Sequence, residues 1–370
     1  MAPTFDNENF DPKDLTETPD LPQLRHFLQA ALQIELTTIP LYLTAMYSIR
    51  PGANEESFYV MRSVVLEEML HMTLAANLIN ALGGKPILDK VRNIPHYPAK
   101  APYSAESVAP FPLRHFSPEA LDMFIAIESP PYGKPHWDDR GWHTIGQFYG
   151  IIDRGLRNLV EREGEKAVFL GEHARQVGPD DFYNSGGEAF AVTDLASARK
   201  AIEVIVEEGE GLDESIFSRD DRLFDEQRQE AHYFRFRQIR HARRYGPHDT
   251  PSDRPSGAPI EVDWSAAYAF KPGAMNLQDP RMASAKKLID GFNAQYTGLI
   301  KGLNQAFNGQ PQVLRDAIPA MLELRYLAEE IHRTPHPLHE GLHLHPTYQV
   351  RKDLLEPSAA AEQAEAPARI

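Results

Sequence analysis

Leu66-Glu67-Glu68-Met69-Leu70-His71-Met72 lies inside an apolar, helix-periodic run from Ser57 to Leu82. Glu68 and His71 stand three residues apart, which puts both on one face of a helix. Val64, Ala75 and Leu78 continue that face with small or apolar side chains. A carboxylate and an imidazole in the middle of a core-facing stripe are costly to bury unless something binds them. The usual partner of Glu-x-x-His on an inward helix face is iron or manganese in a four-helix bundle. The motif becomes informative when other helices supply matching groups.

They do so in this chain. Asp20 caps a predicted helix from Leu21 to Ile49, with Pro22 in its first turn and Glu35 inside its apolar stripe. Pro40 is expected to kink that helix and Pro51-Gly52 to end it. The second helix runs from Glu55 to Leu82 and stops at Gly83-Gly84. Short and long helices follow over Pro118 to Ile127 and Thr144 to Glu163. Asp194 caps another, ending at Gly209 or Gly211, on which Glu203, Glu207 and Glu210 share a face. Acidic groups at a helix C-terminus oppose its dipole unless a cation is present. A last helix, about Arg222 to Tyr245, carries His232, although position 229 is Gln and does not repeat Glu-x-x-His. The expected ligands are therefore Glu35, Glu68, His71, Glu207, Glu210 and His232. Glu67, also one turn from His71, is set aside on spacing. Carboxylates and imidazoles without thiolates suit iron, mononuclear or dinuclear, or manganese, and zinc also takes such a set.

Composition narrows the alternatives. The 370 residues contain no cysteine, which excludes disulfides, thiolate sites and covalently attached c-type haem. Non-covalent haem stays open. A net charge of −15 argues against nucleic acid and anionic membrane surfaces as partners. No run reaches transmembrane length, and Met1 to Asp20 lacks the apolar segment of a signal peptide, so a cytoplasmic protein is expected.

The fold class expected is all-α: a four-helix bundle over residues 20–245, with a long loop insertion and additional C-terminal helices. Residues 1–19 read as a loosely docked arm. Residues 85–117, rich in Pro and aromatics, read as an ordered loop covering one end of the bundle, with Tyr97 and Phe111 lining access to the site. Gly164 to Ser185 is open between short strands and a cover loop. Gly246 to Pro259 is the best internal boundary, followed by a helical extension over residues 260–345, with helices from Pro280 to Phe307 and Pro311 to His332, the latter kinked at Pro319. The Ala/Glu/Pro-rich tail, 356–370, reads as disordered. His332, His336, His339, His343 and His345 form a second cluster with Glu340, but Pro335, Pro337, Gly341 and Pro346 break any helix there, which favours a solvent-exposed coil.

Several runs carry a family resemblance. They include Ile39-Pro40-Leu41-Tyr42-Leu43-Thr44-Ala45-Met46-Tyr47-Ser48, Glu67-Glu68-Met69-Leu70-His71-Met72, Ile94-Pro95-His96-Tyr97-Pro98, Phe124-Ile125-Ala126-Ile127-Glu128-Ser129-Pro130 and Ala231-His232-Tyr233-Phe234-Arg235-Phe236. Together they resemble the ferritin-like domain of the iminophenyl-pyruvate dimer synthase family, which serves the violacein and rebeccamycin pathways. The resemblance implies an iron-dependent oxidoreductase of secondary metabolism, akin to enzymes that oxidatively couple imines of aromatic α-keto acids. The implied partner is a small molecule, an aromatic α-keto or imino acid, whose carboxylate Arg235 or Arg237 could meet. Association into a homo-oligomer stays open. The alternative is a metal-binding or peroxide-protective ferritin-like protein without an organic substrate, and a purely structural helical protein is the third reading.

Overall fold

The computed structural model describes residues 12–131, 141–182, 187–211, 215–217, 229–273 and 275–355. Among them the secondary structure is helical, with isolated bridges and no strands. Helix α1 spans Pro12–Glu17, α2 Leu21–Ser48, α3 Glu55–Ala81, α4 Pro118–Ile127, α5 Ile145–Glu163 and α6 Glu165–Val168. Then come α7 (Leu195–Glu210), α8 (His232–His241), α9 (Ala283–Ala306), α10 (Leu314–Arg333) and α11 (Lys352–Leu355).

Four of these make the bundle. α2 packs along α3, α5 lies against α2, and α7 lies against both α3 and α5. α2 and α3 are apolar nearly all round and so occupy its centre, with every residue from Phe27 to Ser48 and from Val64 to Ala81 buried. α5 turns Ile152, Leu156 and Leu159 inward and Arg157 and Glu161 to solvent. Local chemistry sets the ends. Asp20 and Gln23 form a reciprocal capping box at the start of α2, a device of about 1 kcal/mol. Beyond α3, Gly83 takes the left-handed conformation at φ 70°, where a side chain would be strained. α2 and α10 run on through Pro40 and Pro319.

α9 and α10 pack on each other, and α10 covers α2. The Tyr47 hydroxyl lies 3.4 and 3.3 Å from the carbonyls of Met321 and Leu322. Buried apolar residues of α9 and α10 belong to the same continuous core as those of the bundle.

Three expectations need correction, and one left open is narrowed. The expected loose arm contains α1, which docks on α5 with Leu15 fully buried above Gly155. Gly164 to Ser185 holds α6 and a 3-10 turn at His173–Arg175 rather than strands, residues 183–186 lying outside the described residues. The helix carrying His232 begins at that residue, because Gln229, Glu230 and Ala231 are non-helical; residues 218–228 are outside the described residues, as are 356–370.

The third correction concerns the C-terminal histidines. His332 and His345 are buried, not solvent-exposed, and both stack on Phe270, with ring centroids 5.6 and 4.3 Å away. Each donates Nδ1–H to a backbone carbonyl, of Leu344 at 3.2 Å and Pro346 at 2.8 Å. Proline and glycine break helices, but they do not prevent burial.

Candidate metal centre

Glu35 lies on α2, and Glu68 and His71 lie on α3. His232 enters from the first residue of α8. Ligand atoms of Glu68, His71 and His232 all fall within 4.8 Å of one another, and all three residues are buried. Glu35 joins them, its Oε2 lying 3.9 Å from His71 Nδ1. His232 Nδ1 lies 2.9 Å from Glu68 Oε1 and 3.8 Å from Glu128 Oε2. It sits out of line for a good hydrogen bond, so this buried nitrogen stays unsatisfied by protein. The two imidazoles face each other at 5.4 Å and 26°.

Both rings are gripped from outside. His71 Nε2 meets Glu208 Oε2 at 2.9 Å, and His232 Nε2 meets Glu67 Oε2 at 2.8 Å. Arg235, one turn along α8, closes on Glu67 with a two-pronged contact, 2.9 Å on each side. Outer carboxylates of this kind fix the tautomer and ring orientation of a metal-binding histidine and leave its other nitrogen for the ion. The carboxylates are held too. Tyr149 donates to Glu35 at 2.7 Å, Thr38 lies 2.7 Å from Glu68 Oε2, and the Tyr42 hydroxyl donates to Glu128.

Glu207 and Glu210 fall outside the group formed by Glu68, His71 and His232. Glu207 is only half-buried, and its neighbour Glu208 is the residue turned toward His71. The buried stripe Ala201, Ile205 continues one turn to Glu208 rather than to Glu207. Glu210 is buried but accepts the Gly146 N–H at 2.6 Å, at the start of α5. A Cβ at 146 would strike that carboxylate, so a larger residue there would displace the end of the Glu210 side chain. Glu128 has no place in the expected set, yet it reaches the cluster from the C-terminal end of α4. Its signal was a carboxylate ending an apolar helix just before Pro130-Pro131. Glu67 was discounted on spacing, but α3 is buried on every side and so presents more than one inward face.

The electrostatics favour a cation. Glu35, Glu67, Glu68, Glu128, Glu208 and Glu210 are all buried, against one arginine and two imidazoles. Burial and the neighbouring Glu68 push the Glu35 carboxyl up to about 8. Burial likewise raises Glu128, and it carries Glu210 to about 8. Glu67 goes the other way: burial opposes its charge, but Arg235 and His232 outweigh burial and hold it at about 2. Burial disfavours the charged imidazoles, yet the carboxylates around them raise both His71 and His232. A group of acids that competes for protons in this way is suited to a multivalent ion, which satisfies several oxygens at once. The donor set, all oxygen and imidazole nitrogen, fits such an ion.

Residues 28–241 match a family model described as ferritin-like. The chain belongs to the ferritin-like family. This ferritin-like chain is also 26% identical over 270 residues to dichlorochromopyrrolate synthase of Lentzea aerocolonigenes. That alignment takes in 67% of this chain but 24% of the synthase, so the chain spans about a quarter of the length of the curated relative it matches. Among solved structures, a ferritin-like protein of Caulobacter vibrioides matches at a TM-score of 0.47 and 21% identity, over 82% of this chain and 96% of that one. No helix among the described residues is long and apolar enough to cross a membrane.

A cleft of about 520 Å³ opens beside the cluster, between α2, α4 and the loop at 101–114. Ile34, Thr38 and Ile127 line it, and each touches or adjoins a cluster carboxylate: Glu35, Glu68 and Glu128. Phe111 lines the cleft as expected. Tyr97 does not line it; its hydroxyl donates to the Thr37 carbonyl at 2.8 Å. Arg235 is committed to Glu67, and Arg237 to the carbonyls of Pro251 and Asp253 at 2.8 Å each, and neither lines this cleft.

Proposed function

We propose that this chain is a metal-dependent oxidoreductase of secondary metabolism, with iron as its metal and an aromatic α-keto or imino acid as its substrate. The observation that carries the reading is the buried cluster of acids and imidazoles, each imidazole braced from outside, with an organic-sized cleft against it. Glu35, Glu68, His71, His232 and Glu128 would hold the metal. Once bound, it would supply redox and Lewis-acid chemistry toward dioxygen or a peroxide as electron acceptor.

The protein's own residues do the rest. Glu67 with Arg235, and Glu208, orient the two imidazoles. Tyr149 and Tyr42 hold Glu35 and Glu128 by their hydroxyls. Burial keeps bulk water from the cluster, and Thr38 joins the cleft to Glu68. The cleft favours an organic substrate over peroxide protection alone, because about 520 Å³ is far more than peroxide needs and falls in the range of small-molecule sites. Elemental analysis with an absorption spectrum of the purified protein tests the reading. Stoichiometric iron with carboxylate-type absorption supports it; protein that binds no transition metal refutes it.

A further inference from the structure

The cleft has a polarity of its own. Its walls are largely apolar, with Ile34, Leu41, Phe111, Met123 and Trp142 among them. Its polar residues are mostly occupied. Thr37 donates to the Gln33 carbonyl at 2.7 Å, and Ser107 and His143 lie 3.4 Å apart. Glu119 is engaged by its own backbone N–H and by Ser117 at the start of α4, which lowers its pKa. Arg114 differs: its guanidinium makes no hydrogen bond and no ion pair among the described residues, although Glu119 and His115 lie close enough to feel its charge. Five N–H donors in a planar fork match a carboxylate in geometry and charge.

We infer that Arg114 selects the ligand of this cleft, taking the carboxylate of an organic acid whose apolar body lies against Phe111, Met123 and Trp142. The inference rests on reading the cleft as the substrate site and adds the residue that determines specificity. A neutral molecule of the same shape would leave the fork unmatched. An acid held there lies in the compartment whose wall includes Thr38, and Thr38 touches Glu68.

The test is calorimetric titration of purified protein with 3-phenylpropanoate and with its neutral isostere, 3-phenylpropanamide. Wild type should prefer the acid by about tenfold or more, the scale of a charge-assisted pair. Arg114→Gln should abolish that preference and leave amide affinity within about twofold, while Arg114→Lys retains part of it. A wild type that binds neither compound, or binds both alike, overturns the assignment, as does an Arg114→Gln protein that still prefers the acid. Metal content on the same samples separates the two readings. Metal-free wild type with an intact acid preference breaks the proposed function but not the role of Arg114. Metal-loaded wild type without the preference breaks the role of Arg114 alone.

Discussion

His71 and His232 are buried among carboxylates; His332 and His345 are buried against Phe270 and backbone carbonyls. The two pairs have similar burial and opposite electrostatics. In the bundle, surrounding acids raise both imidazoles despite burial. At the C-terminal helices, burial without acids drives His332 down to about 3 and His345 to about 4. A buried histidine is therefore weak testimony to a metal. What distinguishes the first pair is that each ring has an outer carboxylate on one nitrogen and a cluster of acids on the other.

The largest expected effect lies in metal binding. His71→Ala should cut metal content to less than about a tenth of wild type after identical purification, since losing even an outer partner costs 10–100-fold in affinity. His332→Ala should leave it unchanged. Equal metal in wild type and His71→Ala, by elemental analysis, would erase the contrast between the two pairs.

Next comes the bracing of His232. Arg235→Met leaves Glu67 as a buried charge without its two-pronged partner, a loss of roughly 3–5 kcal/mol. Denaturant unfolding should register it. A double variant adding Glu67→Gln should recover much of that stability while metal affinity stays reduced. A single variant as stable as wild type would show that the buried pair is not what holds α8 against α3.

The smallest effects are in pH, and the two regions should respond with opposite signs. Glu35 and Glu210 bind protons more tightly folded than unfolded, being raised from the ordinary 4.5 to about 8. In chelator-stripped protein their contribution is full below about 4.5 and is lost as pH rises through about 8. His332 and His345 are depressed from 6.5, so the unfolded chain binds more protons below that value. Their contribution is full above pH 6.5 and is lost as pH falls through about 4 and then about 3, on the order of a few kcal/mol. Stability curves of stripped protein between pH 4 and 9, with and without His332→Phe, separate these slopes. An unchanged acid limb in the variant would remove the histidine explanation.

Much of the fold was legible because long helices write their phase and their ends into the sequence. Asp20, Asp194 and Gly83 mark termini that the structure reproduces, and Pro118 to Ile127 is helical over those residues. Glu35, Glu68 and His71 were legible for the same reason, being polar interruptions of apolar stripes. Glu128 was not, since it stands where a short helix ends and periodicity has nothing further to say. Glu208 was within reach had the stripe of α7 been followed through Ala201 and Ile205. The surroundings of His332 and His345 depend on Phe270, which is 62 residues from the first (332 − 270) and 75 from the second (345 − 270), and no local pattern announces such a contact.

The way α10 covers α2 has a consequence for how this protein is made. α2 is apolar on nearly all faces, and one of those faces is closed by residues beyond Leu314. A ribosome adding about 5–20 residues per second takes on the order of 15–50 s to travel from one to the other. For that interval α2 has its partner α3 and one flank still uncovered by α10. The contact of the Tyr47 hydroxyl with the backbone of α10 thus forms only after that interval. The covering of α2 therefore waits on a segment made long after α2 itself.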